Sequence, residues 1–216
     1  DLIIKDLAYP SFLTEEEKKE MTEKQQKRKQ RIGYYGIWAS KERALTMEEV
    51  KEKVEAGIPY VIRLKSKGSF DNKIVIEDCI KGKIEFPEND MDHVLLKSDG
   101  IPTYHFAHAV DDTLMGTTRV TRGDEWVSSL PLHIELFHAL GFEPPKYAHL
   151  ATIQKEEDGK KRKISKRKDP EANVRFYSEK GIPVEAVKIY LMTLANSNFE
   201  EWFLANPDSD MDEFEL

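Results

Sequence analysis

Thr117-Thr-Arg-Val-Thr-Arg122, Pro131-Leu-His-Ile-Glu-Leu-Phe-His-Ala-Leu140 and Tyr147-Ala-His-Leu-Ala-Thr-Ile153 follow one another, with Gly141 between the last two. The first run is β-branched and reads as a strand. The second carries Pro131 in the first turn of a helix, where a missing N–H costs nothing, and Gly141 is the residue type that ends one. Residues 147–153 return to a strand pattern. Strand, helix, strand is the unit of a parallel sheet, so the chain reads as α/β. Immediately upstream, residues 103–115 set Phe106, Ala107, Val110, Leu114 and Met115 on one helical face.

Further from that centre the pattern changes. Thr14 and Thr46 are each followed three residues later by a glutamate (Glu17, Glu49), which predicts two capped helices. The first is expected to run to about residue 30 and the second to close at Gly57, with a loop over 31–40. Short β-branched runs at 60–65, 72–77, 80–86 and 93–97 predict a small antiparallel unit over 58–97, with Gly82 as a bulge. On the other side, 155–168 reads as a basic loop, followed by helices over 169–181 and 183–196.

The chain has 216 residues and a net charge of −7, from 33 basic and 40 acidic side chains. The charge is unevenly placed. Residues 197–216 hold seven acids and no Lys or Arg, so the first 196 residues balance at 33 against 33. Within them, 155–168 holds eight bases and three acids, a local surplus able to attract phosphate. One cysteine, Cys79, excludes an intrachain disulfide and a Cys-rich zinc site, and suits a reducing, cytoplasmic setting. No apolar run approaches the roughly 18–20 residues of a membrane span.

Several constellations could carry chemistry. His105, His108, Asp111 and Asp112 share one predicted helix, and a single helix does not enclose a metal; packed or hydrogen-bonded histidines are the favoured reading. Ser128 and Ser129 lack a nucleophile-elbow context and are expected to cap the helix at Pro131. Cys79 is expected to be a buried apolar side chain. Lys163-Ile164-Ser165-Lys166-Arg167 is different: two lysines three apart, in a segment between a strand and a helix, can converge on a polyphosphate. It is not a P-loop, because the glycine spacing is absent.

The order of the flanking blocks is specific. Ser98-Asp-Gly-Ile-Pro-Thr-Tyr-His-Phe-Ala is followed by Val110-Asp-Asp and by Arg119-Val-Thr-Arg-Gly-Asp-Glu-Trp-Val-Ser-Ser. Ala139-Leu-Gly-Phe-Glu-Pro-Pro-Lys-Tyr-Ala-His-Leu and then Lys163-Ile-Ser-Lys-Arg complete the series. In that order they closely resemble bacterial glutamyl-tRNA synthetases, a class I family. Upstream, Ala8-Tyr-Pro-Ser-Phe-Leu-Thr and Gly57-Ile-Pro-Tyr-Val-Ile-Arg-Leu-Lys resemble the family's connecting region, so the likeness covers residues 8–195.

The resemblance implies the second half of a Rossmann-like nucleotide-binding domain. An inserted α+β acceptor-stem domain and the start of a helical stem-contact region accompany it. The ranges implied are 1–97 for the connecting region, 98–154 for the catalytic half, 155–196 for the basic loop with stem-contact helices, and 197–216 for an acidic segment. It implies glutamate activation by ATP with Mg, then transfer to the terminal adenosine of tRNA-Glu, with tRNA-Gln left open. Lys163 and Lys166 would act on the departing pyrophosphate. ATP would lie against Glu125, Ile153, Lys163, Ile164, Ser165, Lys166 and Arg167, and glutamate against Tyr104, His108 and Arg122. At His108 the family usually has asparagine. Cysteines that bind zinc in some members are missing from 11–35, so no zinc is expected.

The family's His-x-Gly-His signature is absent, and so is an anticodon-binding half. The expectation is therefore an internal fragment of a monomeric cytoplasmic enzyme, inactive alone. Such a fragment is expected to self-associate, to swap segments, or to leave the basic loop and acidic tail poorly ordered. A non-catalytic tRNA-binding or regulatory module is the alternative. A truncated relative that glutamylates a modified tRNA base is disfavoured by the intact Lys163–Arg167 signature.

Overall fold

The computed structural model describes residues 1–214, apart from the Ser197 side chain, so Glu215 of the acidic segment lies outside the described residues. The chain divides into two compact units. One is Asp1–Thr121 with Trp126–Ala148; the other is Arg122–Glu125 with the chain from His149 onward.

In the first unit, local signals set the helices. Helix α1 (Glu15–Lys27) and helix α3 (Met47–Glu55) both start in full capping boxes. The Thr14 hydroxyl accepts from Glu17 N at 3.2 Å while the Glu17 carboxylate accepts from Thr14 N at 2.9 Å. Two otherwise orphaned amides are satisfied at each start. The expected loop over 31–40 holds a 3₁₀ turn at Gly36–Trp38 and the short helix α2 (Ser40–Arg43). Arg43 of α2 forks onto the buried Asp92, which also accepts from the Tyr9 hydroxyl at 2.5 Å and Ser66 N at 3.0 Å.

Strands β1 (Ala8–Ser11), β2 (Val61–Leu64) and β5 (Val94–Leu96) form an antiparallel sheet in the order β1-β2-β5. Ala8, Leu64 and Leu95 from this sheet pack on Ala109 of helix α4 (Tyr104–Leu114) and on Leu132, Leu136 and Phe137 of helix α5 (Leu130–Leu140). Gly141 ends α5 in the left-handed region at φ 78°. Ser129 stands at the N-cap of α5 without a side-chain cap bond, contrary to the expected role of Ser128 and Ser129. A 3₁₀ segment, Asp124–Ser129, runs directly into the helix.

The expected antiparallel unit over 58–97 is not one sheet. Strands β3 (Lys73–Asp78) and β4 (Gly82–Pro87) leave β2 and β5 and join a second sheet, ordered β4-β3-β7-β6, with β6 (Arg119–Gly123) and β7 (Lys146–Leu150). β3 pairs antiparallel with β4 and parallel with β7, where Cys79 N donates to Tyr147 O at 2.7 Å. Ile76, Leu130 and Tyr147 form the core beneath. Gly82 is not a bulge. The register from Lys73↔Pro87 to Asp78↔Gly82 is unbroken, and Gly82 at φ 70° closes the turn. Cys79 sits on that turn and is exposed rather than buried.

In the second unit, the expected basic loop is a β-hairpin: β8 (Gln154–Glu157) and β9 (Lys160–Lys163). Asp158 and Gly159 both have positive φ, 52° and 71°, which is the two-residue turn matched to strand twist. β7 stops at Leu150, so Ile153 stands at the hairpin's entrance, where its carbonyl accepts from Ile164 N at 3.0 Å. The expected 169–181 helix is broken into a 3₁₀ turn, Pro170–Ala172, and helix α6 (Val174–Glu179), because Asn173 adopts an extended conformation and caps α6. Helix α7 (Val184–Ala195) follows. The acidic segment, for which poor order is one expectation, carries helix α8 (Ser197–Ala205), anchored by the fully buried Phe199 against Trp202, Phe203 and Phe214. None of the helices among the described residues is long and apolar enough to cross a membrane.

Candidate functional site

The first unit presents the residues that the resemblance assigns to glutamate on α4. Tyr104 opens the helix and His108 lies one turn on, so both fall on one face. Their rings stack at 5.9 Å and 5°, and the Trp126 ring lies 4.4 Å from Tyr104. Tyr104 is about half exposed while His108 is buried. The His108 ring is oriented from both sides, by Asp112 at Nδ1 and by the Tyr147 hydroxyl 3.0 Å from Nε2. His105 Nδ1 pairs with His133 Nε2 at 2.9 Å, and the His93 ring lies 5.7 Å from His105. Burial pushes His93 down to about 4, helped by neighbouring His105 and Arg63, so it is neutral near pH 7.

A cleft of about 470 Å³ in the same unit is lined by Arg31, Phe70, Met91, His93, His105 and Ser128, among others. Neither Tyr104 nor His108 lines it. Cavity size therefore does not select the site; the placement of charged and ring groups does. Among the described residues, no group of three His, Cys, Asp or Glu side chains is arranged to hold a metal ion.

In the second unit the chain brings sequence-predicted residues together across 38 positions. Glu125 Oε1 accepts from Lys163 Nζ at 2.6 Å, and both side chains are substantially exposed, at 45% and 61%. An ion pair that exposed contributes little stability, so its interest is placement. The Lys163 ammonium holds the Glu125 carboxyl below its usual range. Gly123 belongs to this geometry, since a Cβ there would meet the Glu125 carboxylate at 2.0 Å. Arg122 Nε donates to His149 Nε2 at 2.9 Å, which assigns the His149 proton to Nδ1. His149 is fully buried, so the base of the Arg122 guanidinium rests on a fixed support.

Around the basic segment the charges sort into two groups. Lys155 and Arg162, opposite one another on the hairpin, are both committed to acids: Lys155 to Asp169 and Glu171, Arg162 to Asp169 and Glu157. Lys166, Arg167 and Lys168 are exposed and make no ion pair with a described residue. Sequence reasoning missed His149 and Asp169 as supports. Asp169-Pro170 reads as a helix start, and no local pattern marks a carboxylate that turns back onto the preceding hairpin. The hairpin itself had a signal in Asp158-Gly159.

The first unit thus carries the Tyr104, His108 and Trp126 rings, and the second the Glu125–Lys163 pair and the exposed Lys166 and Arg167. Residues 1–206 match the family described as tRNA synthetases class I (E and Q), catalytic domain, and the chain belongs to that family. A glutamate–tRNA ligase of Clostridium beijerinckii is 54% identical over 216 residues, and one of Clostridium perfringens 53%; each match covers all of this chain and 39% of the relative. A crystal structure of a glutamate tRNA ligase from Elizabethkingia meningosepticum, in complex with its amino acid, superposes with a TM-score of 0.66 at 38% identity. That match covers 79% of this chain and 34% of that one. The chain spans about two fifths of the length of the curated relatives it matches.

Proposed function

We propose that this protein is part of a glutamate–tRNA ligase and supplies the phosphate-facing and glutamate-facing residues of its catalytic site. The reaction joins glutamate to the ATP α-phosphate with loss of pyrophosphate, then passes the glutamyl group to the terminal adenosine of tRNA-Glu. The supporting observation is the meeting of Glu125 with Lys163, which sets the carboxylate assigned to the nucleotide beside the segment assigned to its phosphates. Lys163 and Lys166 supply positive charge where the leaving pyrophosphate becomes more negative, with Arg167 beside them. Arg122, propped by His149, is the arginine that pairs with the side-chain carboxylate of the substrate. Tyr104 and His108 form the ring wall of the glutamate pocket. Ile153, at the entrance of the hairpin, lies beside the adenine, and Ile164 and Ser165 belong to the segment that meets the phosphates.

The test uses the longest reading frame that carries this chain. Glutamate-dependent ATP–pyrophosphate exchange should be measurable, and Lys166→Ala should slow it by roughly 10²–10³, the scale for losing one preorganised electrostatic contact. Exchange unchanged by that substitution would refute the phosphate assignment.

A further inference from the structure

Lys155 and Arg162 face one another directly across the β8–β9 hairpin. Like charges in that position repel, so the hairpin needs a counter-charge. Asp169 provides it from beyond the end of the 163–167 segment, and it is 3% exposed. Its carboxylate accepts from Arg162 Nη1 at 2.7 Å, Arg162 Nη2 at 2.8 Å, Lys155 Nζ at 3.0 Å and the backbone N–H of Ser165 at 2.8 Å. The Asp169 amide returns a bond to Ser165 O at 2.8 Å, closing the turn between them. One carboxylate therefore ties both strands of the hairpin to the middle of the basic segment. A fork of two parallel N–H bonds fixes direction as well as distance.

We infer that Asp169 is the positioning residue of the Lys163–Arg167 segment, clamping the Ser165 amide to the hairpin so that the Lys163 and Lys166 ammonium groups meet a polyphosphate in one fixed arrangement. The inference rests on the function proposed above. The two bases that Asp169 neutralises point inward to it, while Lys163, Lys166 and Arg167 stay outside the clamp. Asp169 is thus not a ligand to phosphate. Its effect passes through the geometry of the lysines, and a displacement of about 1 Å is enough to cost on the order of 10²-fold in rate.

The experiment compares the longest reading frame with its Asp169→Asn, Asp169→Glu, Arg162→Gln and Lys166→Ala variants by ATP–pyrophosphate exchange, normalised to folded protein. Asp169→Asn is expected to lower kcat/KM for ATP on the order of 10²-fold, with the KM for glutamate within twofold. Asp169→Glu should restore most of the loss, and Arg162→Gln should move ATP kinetics several-fold in the same direction. A purely structural role would lower the folded fraction and leave both KM values alone. If Asp169→Asn does not fold, Arg162→Gln decides. ATP kinetics unchanged per folded molecule in Asp169→Asn, or in Arg162→Gln where Asp169→Asn does not fold, with Lys166→Ala impaired, would overturn the positioning role alone. Lys166→Ala unimpaired would overturn the phosphate site and the inference with it.

Discussion

At His93, burial and neighbouring positive charge act in the same direction. The unfolded chain binds a proton near 6.5, whereas the folded protein resists it until about 4. Between those values the unfolded state holds more protons, so stability rises with pH. The contribution is fully present above 6.5 and is lost as pH falls toward 4, amounting to about 3 kcal/mol in all. Urea unfolding at pH 7 and pH 4.5 should therefore show a fall that His93→Gln reduces by about 2–3 kcal/mol. Parallel pH curves for the two proteins would rule this account out. Nothing in the residues around His93 marks it from sequence, because the burial and the His105 and Arg63 neighbours come from other elements.

At the scale of the element, the hairpin β8–β9 depends on one glycine. Gly159 has φ 71°, where a side chain costs roughly 1–2 kcal/mol. Gly159→Val should leave the rest of the unit folded but open the hairpin more often. Amide hydrogen exchange across 154–163 is expected to speed by about 5–30-fold, the equivalent of that cost. Exchange at the wild-type rate would mean that the Asp169 ion pairs, not the turn, hold the strands. The Asp158-Gly159 pair was legible in the sequence; the density of Lys and Arg around it masked the strand signal, since neither residue type is a favoured strand former.

For the molecule as a whole, the first unit is held by the layer in which α4 and α5 cover the β1–β2–β5 sheet. Leu136 is fully buried in that layer, against Leu64, Leu95 and Ala109 among others. Leu136→Ala should destabilise by about 2–5 kcal/mol through lost transfer energy and the cavity left behind. Leu114, at the exposed end of α4, is 78% exposed, and Leu114→Ala should change stability by less than about 0.5 kcal/mol. Equilibrium urea titrations of the two variants check the contrast. Equal effects would mean that this layer is not the stabilising core.

Some of this was decided within a few residues of chain. The capping boxes at Thr14 and Thr46 and the stop of α5 at Gly141 rest on spacings of three or four residues, and they formed as read. The apolar face read on α4 did not: Leu114 and Met115 are exposed, and the helix buries His108 and Ala109 because the sheet and α5 pack on the Ala109 side. The ordered blocks from Ser98 to Arg167 carried the family resemblance without coordinates. The pairing partner of β3–β4 could not be read in this way. A hairpin's apolar alternation says that it needs an edge, not which strand supplies it; β1 and β5 occupy both sides of β2, and β3 pairs with β7. The joining of Glu125 to Lys163, of Arg122 to His149 and of Asp169 to Ser165, Arg162 and Lys155 belongs to the same class. A charge in a sequence names no partner; only the folded backbone brings two of them within about 3 Å, where the attraction between them becomes appreciable.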